Sequence, residues 1–335
     1  MKIGCFVHGY PPDHNAGAEW MLHAINKSMI AKGHEVRVMT NCGVIPESKN
    51  GKITHKHLTK IDSFEGVKIL RQGAVKYGEI FKWADVVVTH LNNTGKAMNL
   101  AKDFHKPLVH LLHNTHHNDV IYRINVRNNY LVYNAEWNKK ASRYKNKSIV
   151  VYPAVWYDDY KGKATGKNIT LVNCWKEKGG NVLVELAKEM PNEKFLGVMG
   201  GYGDQVIGRS KNLKYEENTP DIKKIYRRSK IVLMPSSYES WGRVAVEAMC
   251  MGIPVIAHPT PGLKESLDYA GLFAHRDRIG EWAKIIKDLN DEDYYKKVSS
   301  LCLKRAKELN AKSEQQMDSY ETFLNYIINK GYETI

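Results

Sequence analysis

PSSYESWGRVAVEAMCMGIP, residues 235–254, carries the pattern that decides the fold of the second half of this chain. The apolar, β-branched run Ile231–Met234 before it predicts a buried strand, and the serines that follow are typical of a loop and a helix N-cap. A helix is expected to begin near Gly242 and to end at Gly252 and Pro254. The stretch therefore predicts a strand, a tight loop and a helix in succession.

Two carboxylates, Glu239 and Glu247, lie in this stretch with seven residues between them. A helix that starts near Gly242 directs free backbone N–H groups and a partial positive charge toward its N-terminus, which favours a phosphate there. Glu239 precedes that end, and Glu247 can reach back to accept hydrogen bonds from hydroxyl groups. The alternative is that Glu239 caps the helix and Glu247 is solvated, but the apolar neighbours of Glu247 argue for a buried carboxylate with partners.

This segment resembles the retaining GT-B glycosyltransferases, the group 1 family that includes sucrose, mannosyl and glycogen synthases and many bacterial surface-glycan enzymes. The resemblance extends over most of the chain. It implies that Glu239 faces a donor sugar and that Glu247 holds the nucleotide ribose. It also implies that Trp241, Gly242 and Arg243 belong to the donor-binding side.

The segment LVNCWKEKGGN, residues 171–181, supplies cations for a diphosphate. Lys176 and Lys178 follow a predicted strand and precede two glycines and a helix, where a cation reaches phosphate and glycine permits close backbone approach. We expect Lys178 to be the catalytic cation; a solvated loop lysine is the alternative. Family members usually carry an arginine shortly before this lysine, and here Lys176 or Arg243 is left to replace it.

Three further segments resemble family loops. Gly17 lies between the first strand and helix, and Gly262 and Leu263 in PTPGLKE, residues 259–265, are expected to offer backbone N–H groups to the donor, with plain turns as the alternative at both places. The glycines of residues 199–204 resemble a nucleotide-side loop.

His113 ends the apolar strand LVHLLH and looks like the family's active-site histidine, with His90 as the weaker candidate. His110, His113, His116 and His117 could suggest zinc, but strand alternation sends His110 and His113 to opposite faces, so we expect no metal.

Alternating strand and helix patterns predict an α/β protein with two doubly wound, Rossmann-like domains in tandem. The predicted boundaries are 1–155 for the first domain, 156–312 for the second and 313–335 for a C-terminal helix. The resemblance implies that the first domain is on the acceptor side, that the second binds the nucleotide sugar and that the last helix crosses back onto the first domain. Both parallel sheets are expected to face an interdomain cleft. The resemblance names this architecture GT-B.

The charge of the chain is concentrated in its first half. Residues 1–155 contain 22 Lys and Arg against 11 Asp and Glu, whereas the remainder contains 28 against 25. The basic residues form two groups, which are Lys49, Lys52, Lys56 and Lys60 with His55 and His57, and Lys139, Lys140, Arg143, Lys145 and Lys147. Such a field can attract an anionic membrane, a nucleic acid or a phosphorylated acceptor, although a generally basic proteome is an equal explanation.

The five cysteines are scattered, and no long apolar run resembles a signal peptide or membrane span. We therefore expect a cytoplasmic protein, either free or peripheral at the inner membrane face.

The resemblance implies a retaining, metal-independent hexosyltransferase that needs no cofactor beyond its nucleotide-sugar substrate and no stable protein partner. UDP-glucose is the leading donor, with GDP-mannose and other UDP-hexoses open. The acceptor is expected to be anionic or large, either a lipid-linked or cell-surface glycan or modified DNA. The alternative is a GT-B relative without transfer activity, such as an epimerase, a phosphorylase-like enzyme or a binding protein.

Overall fold

A computed structural model describes residues 1–42, 44–49, 52–57, 61–114, 128–200 and 204–333 of the chain. The described residues divide into two compact units, one formed by Met1–Ala154 with Glu314–Ile335 and the other by Val155–Ser313. Some residues named above lie outside the described ranges: Lys60, His116, His117 and positions 201–203 of the predicted glycine loop. The side chains of the first basic group, in residues 44–57, are likewise not described.

The first unit contains an eight-stranded sheet. Its strands and helices are β1 (Lys2–Val7), α1 (Gly17–Ala31), β2 (Glu35–Thr40), β3 (Val44–Lys49), β4 (Lys52–His57), β5 (Asp62–Phe64), β6 (Val67–Arg71), α2 (Gly78–Trp83), β7 (Val86–His90), α3 (Thr94–Asp103), β8 (Leu108–Leu112), β9 (Asn129–Tyr133), α4 (Glu136–Ala141) and β10 (Ser148–Val150). The sheet order is β10-β9-β8-β7-β1-β2-β6-β5, and β3 and β4 pair separately as an antiparallel hairpin. Every pairing in the large sheet is parallel except that of β5 with β6.

The second unit contains a six-stranded sheet in which every pairing is parallel. Its elements are α5 (Tyr157–Tyr160), β11 (Asn168–Val172), α6 (Gly180–Glu189), β12 (Lys194–Val198), β13 (Leu213–Glu216), α7 (Ile222–Arg227), β14 (Ser229–Met234), α8 (Arg243–Met249), β15 (Val255–Ala257), α9 (Pro261–Leu267), β16 (Leu272–Phe273), α10 (Ile279–Asp288) and α11 (Glu292–Lys330). The sheet order is β13-β12-β11-β14-β15-β16. Helix α11 continues into the first unit, to which its residues from Glu314 onward belong.

Both sheets reverse their winding direction next to their first strand. In the first unit the chain leaves β1 toward β2 and β6 and then returns to β7 on the other side; in the second it leaves β11 toward β12 and β13 and returns to β14. Central strands such as β1 and β14 are buried along nearly their whole length, as expected when helices cover both faces of a parallel sheet. The predicted α/β class with two doubly wound parallel sheets is confirmed. Ligands of such sheets bind beyond the carboxyl ends of the strands, at the point of reversal.

One local prediction was wrong. Residues 259–265, expected to form a loop or turn, instead lead into helix α9, because Thr260 caps its N-terminus and Pro261 occupies its first turn.

Gly179 and Gly33 are both left-handed, but only Gly179 has a close neighbour, so alanine substitutions at the two positions separate backbone strain from overpacking. Gly179 has φ +94°, and a Cβ added there would come within 2.3 Å of Pro235 Cγ; Gly33, with φ +85°, has no heavy atom within 4 Å of such a Cβ. Gly33→Ala should therefore lower the free energy of unfolding by the backbone strain alone, about 1–2 kcal/mol. Gly179→Ala should lower it by at least about 1 kcal/mol more, because it also overpacks the site. Urea unfolding of both variants measures the difference, and equal losses would contradict the importance of this contact.

Candidate functional site

The predicted catalytic residues of the second unit lie at its point of reversal, on the loops that follow β11 and β14. The first loop contains a 3₁₀ turn, Lys176–Lys178, and the second leads to α8 through Gly242, which is left-handed with φ +87°. Ser237 joins the two loops: its N–H donates to the Glu177 carbonyl at 2.9 Å and its hydroxyl to Glu177 Oε2 at 2.6 Å. Two loops from adjacent parallel strands are thus held together at one edge of the sheet.

This edge brings Lys178 and Glu239 into contact. Lys178 Nζ donates to Glu239 Oε1 at 2.5 Å, and the Ser236 hydroxyl donates to the same oxygen at 3.0 Å. Both side chains remain partly exposed, 22% for Lys178 and 13% for Glu239. The ammonium has three N–H donors and the carboxylate four lone pairs, so this contact alone does not use up the bonding capacity of either group.

Glu247 lies in a buried polar network below this edge. Its Oε1 accepts from Arg243 Nε at 2.7 Å and its Oε2 from the Tyr226 hydroxyl at 2.8 Å, while Arg243 Nη2 donates to the Tyr160 hydroxyl at 3.2 Å. Only 6% of Glu247 is exposed. Burial, together with the Glu247 carboxylate, holds the pKa of Tyr226 well above its ordinary value, so this phenol stays a donor. The expectation from sequence that Glu247 is a buried carboxylate with partners agrees with this geometry.

Arg243 and Lys176, the two expected replacements for the family's phosphate-binding arginine, differ in their surroundings. The guanidinium of Arg243 is committed to Glu247 and Tyr160, whereas Lys176 is exposed. A cation that sequence reasoning missed, Arg276, donates from Nη2 to the Lys176 carbonyl at 3.2 Å. It follows β16, a strand of two residues that is too short to be recognised in the sequence.

Three of the residues expected to bind the donor also support the loop that carries Glu239. The Leu263 N–H donates to the capping Thr260 hydroxyl at 3.3 Å, and the side chain of Leu263 is fully buried. A Cβ on Gly262 would lie 2.4 Å from the Glu239 carbonyl oxygen. Trp241 is 2% exposed, and its carbonyl accepts from the Ser266 hydroxyl at 2.7 Å. These residues therefore pack around that loop, and the Leu263 N–H, which we expected to be available to the donor, donates to the cap of helix α9.

The predicted site residues of the first unit lie on different strands. His113 directly follows β8, and its Nε2 lies 2.9 Å from Nδ1 of His90, the last residue of β7. Burial lowers the pKa of His113 to about 4, and burial and then the His113 ring hold the pKa of His90 well below its ordinary value. The two rings therefore form an uncharged pair at neutral pH.

The remaining histidine and glycine of that prediction are separate from this pair. His110 Nε2 lies 2.7 Å from the Asn129 side-chain oxygen, and burial lowers the pKa of His110 to about 4. Gly17 is the first residue of α1 and is exposed. Within the described ranges, no group of three or more His, Cys, Asp and Glu side chains is arranged to hold a metal ion.

No helix in the described part of the chain is both long and apolar enough to cross a bilayer.

Residues 173–301 match the sequence profile of the family described as Glycosyl transferases group 1. Among curated proteins, the chain is similar to a D-inositol 3-phosphate glycosyltransferase from Arthrobacter sp. (strain FB24), with 34% identity over 77 residues, or 22% of this chain and 18% of that protein. A protein of the same name from Mycobacterium sp. (strain KMS) is 28% identical over 128 residues, or 33% and 29% of the two chains. The alignments thus span less than a third of these relatives' length.

Solved structures are similar over nearly the whole chain. Sucrose-phosphate synthase from Thermosynechococcus elongatus superposes with a TM-score of 0.71 at 15% identity, covering 97% of this chain and 100% of that one. HepE from Anabaena, solved in complex with UDP-glucose, gives 0.72 at 17% identity, covering 95% and 100%. At such identities the likeness shows the fold alone. Residues 173–301 thus match the glycosyl transferases group 1 family, and the chain shares the GT-B fold of these solved structures.

Proposed function

We propose that this protein is a retaining, metal-independent glycosyltransferase that moves glucose from UDP-glucose to an acceptor hydroxyl. The contact between Lys178 and Glu239 at the reversal point of the second sheet carries the proposal. The donor is chosen from family frequency, and the similar fold of Anabaena HepE, which was solved with UDP-glucose, supports it.

The reaction breaks the bond between the anomeric carbon and the β-phosphate oxygen and forms a bond from that carbon to the acceptor oxygen on the same face. The acceptor proton passes to the departing phosphate oxygen, so no separate protein base is needed. Lys178 stabilises the charge that develops on the diphosphate, with Lys176 and Arg276 as neighbouring cations. Glu239 orients the sugar hydroxyls, Glu247 accepts from the ribose, and the uncharged His113 donates to the sugar or acceptor.

The acceptor is proposed to be a lipid-linked glycan at an anionic membrane surface, with the protein peripheral at the inner face. The support is a basic strip that we define as Lys139, Lys140, Arg143, Lys145 and Lys147, all exposed. Within the described residues none of the five forms an ion pair. Lys147 Nζ lies 3.3 Å from the ring centroid of the exposed Tyr326, and Trp137 is on the same helix as Lys139. Lysines interleaved with aromatic rings are typical of surfaces that contact lipid headgroups.

The roles of the two charged residues predict the behaviour of two substitutions. Lys178→Ala and Glu239→Gln should each lower the rate of nucleotide release from UDP-glucose by about 10²–10³-fold, because each removes a group aimed at transition-state charge or sugar orientation. The matched control is Lys188→Ala, an exposed lysine on α6, which should release nucleotide at the wild-type rate. GDP-mannose measured in parallel tests the donor. Unchanged release in both variants would refute the assignment, and wild-type protein that binds UDP-glucose without releasing UDP would favour a binding protein.

The proposed contact between Glu247 and the ribose predicts that the protein prefers nucleotides that carry the ribose hydroxyl groups. The preference is measured on wild-type protein, so no substitution that could disturb folding is needed. Wild-type protein should bind UDP about tenfold or more tightly than 2′,3′-dideoxy-UDP, because a hydrogen bond to a charged group contributes about 1.5–3 kcal/mol. Tyr226→Phe, which removes one donor to Glu247 but leaves its charge, should keep that preference while lowering stability. Isothermal titration measures both affinities. Equal binding of the two nucleotides by wild-type protein would assign Glu247 a purely structural role.

The basic strip predicts binding to anionic vesicles that falls with salt. The triple variant Lys139→Gln, Arg143→Gln, Lys145→Gln should bind phosphatidylglycerol-containing vesicles about 100-fold more weakly, at about 1 kcal/mol per removed charge. The control is a second triple variant, Lys188→Gln, Lys211→Gln, Lys284→Gln, at exposed residues of the second unit. It has the same net charge as the first triple variant and should bind the vesicles like wild type. Co-sedimentation gives the affinities. Tighter binding to duplex DNA than to these vesicles would instead favour the nucleic-acid acceptor.

A further inference from the structure

Residues 8–16, which we call the β1–α1 loop, connect the first strand of the first sheet to helix α1. The winding direction of the sheet changes at β1, which has β2 on one side and β7 on the other. Loops at such a point contribute to ligand binding in open parallel sheets. This loop is also longer than the roughly 2–6 residues that usually join a strand to a helix, and long loops of this kind are commonly functional. Its conformation is therefore expected to matter for activity.

Two side chains of the β1–α1 loop are anchored to α1, the next element along the chain. The Tyr10 hydroxyl lies 2.9 Å from His23 Nδ1 and accepts from Asn26 Nδ2 at 3.1 Å. Trp20 Nε1 donates to Asn15 Oδ1 at 2.7 Å. These contacts join the loop to the helix that it leads into, and they do not tie it to the sheet.

Asp13 of the same loop is anchored to the sheet, by Arg71 at the end of β6. Arg71 Nη2 donates to Asp13 Oδ2 at 2.6 Å and to Asp62 Oδ2 at 2.9 Å. The side chains of Arg71 and Asp13 are only 4% and 6% exposed, whereas that of Asp62 is 47% exposed. In the sheet order β2 lies between β1 and β6, so one guanidinium joins the loop to a strand two positions away.

Arg71 also holds a second long connection of the first unit. Asp62 is the first residue of β5, and it follows the part of the chain that leaves β2 and contains the β3–β4 hairpin. Since Asp62 and Asp13 accept from the same nitrogen of Arg71, the two connections meet at one point. We call Arg71, Asp13 and Asp62 the loop clamp.

A contribution to stability does not explain the loop clamp. Replacing a buried ion pair with apolar residues is often neutral or stabilising, because taking charges out of water is costly. An apolar side chain at the end of β6 could fill the space of Arg71, but it could not donate directed hydrogen bonds to a carboxylate of the loop. The feature that only the charged group supplies is a fixed position for Asp13.

We propose that Arg71 is a positioning residue, which holds the β1–α1 loop in the arrangement that turnover requires. Arg71 is too deeply buried to contact a substrate and acts through Asp13. The part that the loop plays in glycosyl transfer rests on the proposed function, whereas the clamp rests on the contacts of Arg71 alone. Loss of the clamp should slow turnover and leave the affinity for the nucleotide unchanged, because the nucleotide is proposed to bind to the second unit.

Hydrogen exchange of the full chain, measured by mass spectrometry, tests whether Arg71 holds the loop. Arg71→Met removes the charge and the donors of the side chain, and Asp13→Asn removes the carboxylate on the loop. Each variant should speed exchange in peptides from residues 8–16 by about tenfold or more, because the loop loses its anchor on the sheet. Arg71→Met should also speed exchange in β5, and exchange in the second unit should stay unchanged. The matched control is Lys68→Met, at an exposed lysine of the same strand, which should exchange like wild type.

Turnover and stability, measured on the same variants, separate positioning from a structural role. Nucleotide release from UDP-glucose should fall about 10–100-fold in both single variants, since a small misplacement far from the reacting atoms can cost that much. The Kd for UDP should stay within about threefold of wild type. The double variant Arg71→Met, Asp13→Asn leaves no buried charge of the clamp unpaired, so it should resist urea better than Arg71→Met does. Its nucleotide release should nevertheless remain as slow as that of Arg71→Met.

Three results would overturn the inference. They are unchanged exchange of residues 8–16 in both single variants, wild-type release by a variant whose loop exchanges faster, and recovery of wild-type release together with stability in the double variant. If Arg71→Met does not fold, Asp13→Asn and the double variant carry the test. Wild-type protein that releases no nucleotide would refute the proposed function, and the exchange measurements would still decide whether Arg71 holds the loop.

Discussion

The ion pair between Lys178 and Glu239 is the interaction on which the candidate donor site depends, and it exists because two loops are forced together. Each loop needs a left-handed glycine, Gly179 with φ +94° and Gly242 with φ +87°. Gly179 packs against Pro235 of the other loop, and Ser237 bonds to Glu177. The rigid parallel strands β11 and β14 define where the loops start, and the glycines define how closely they meet.

The two reversal points of this fold differ in their electrostatics. In the second unit the strand ends present an exposed cation and a carboxylate that remain partly accessible, as a diphosphate and a sugar require. In the first unit the corresponding positions carry amides and histidines, and burial keeps the pKa of His113 near 4. The charged pair of the second unit agrees with a transfer reaction in which negative charge accumulates on the leaving group.

Much of the fold could be predicted from the sequence because each parallel strand is a short apolar run followed by a turn and a helical period. The strand before Pro235 and the helix after Gly242 are local patterns, and so is the turn that carries Lys178. The network around Glu247 could not be predicted, because Tyr226 reaches Glu247, and Tyr160 reaches Arg243, only through tertiary packing. The pairing of His90 with His113 likewise depends on strand adjacency.

Arg243 and the lysines differ in how readily they could bind a phosphate, for a physical reason. Arg243 is a buried guanidinium whose charge is balanced by Glu247. Turning it toward a phosphate would leave that carboxylate buried without a charge partner, which costs about 3–5 kcal/mol. Lys178 faces no such penalty, since its three donors can serve Glu239 and a phosphate at once. Among the described residues, the guanidinium of Arg276 donates to the Lys176 carbonyl, a neutral acceptor that leaves the positive charge unbalanced. Arg276, after β16, is therefore better suited than Arg243, on α8, to be a second cation that binds the phosphates.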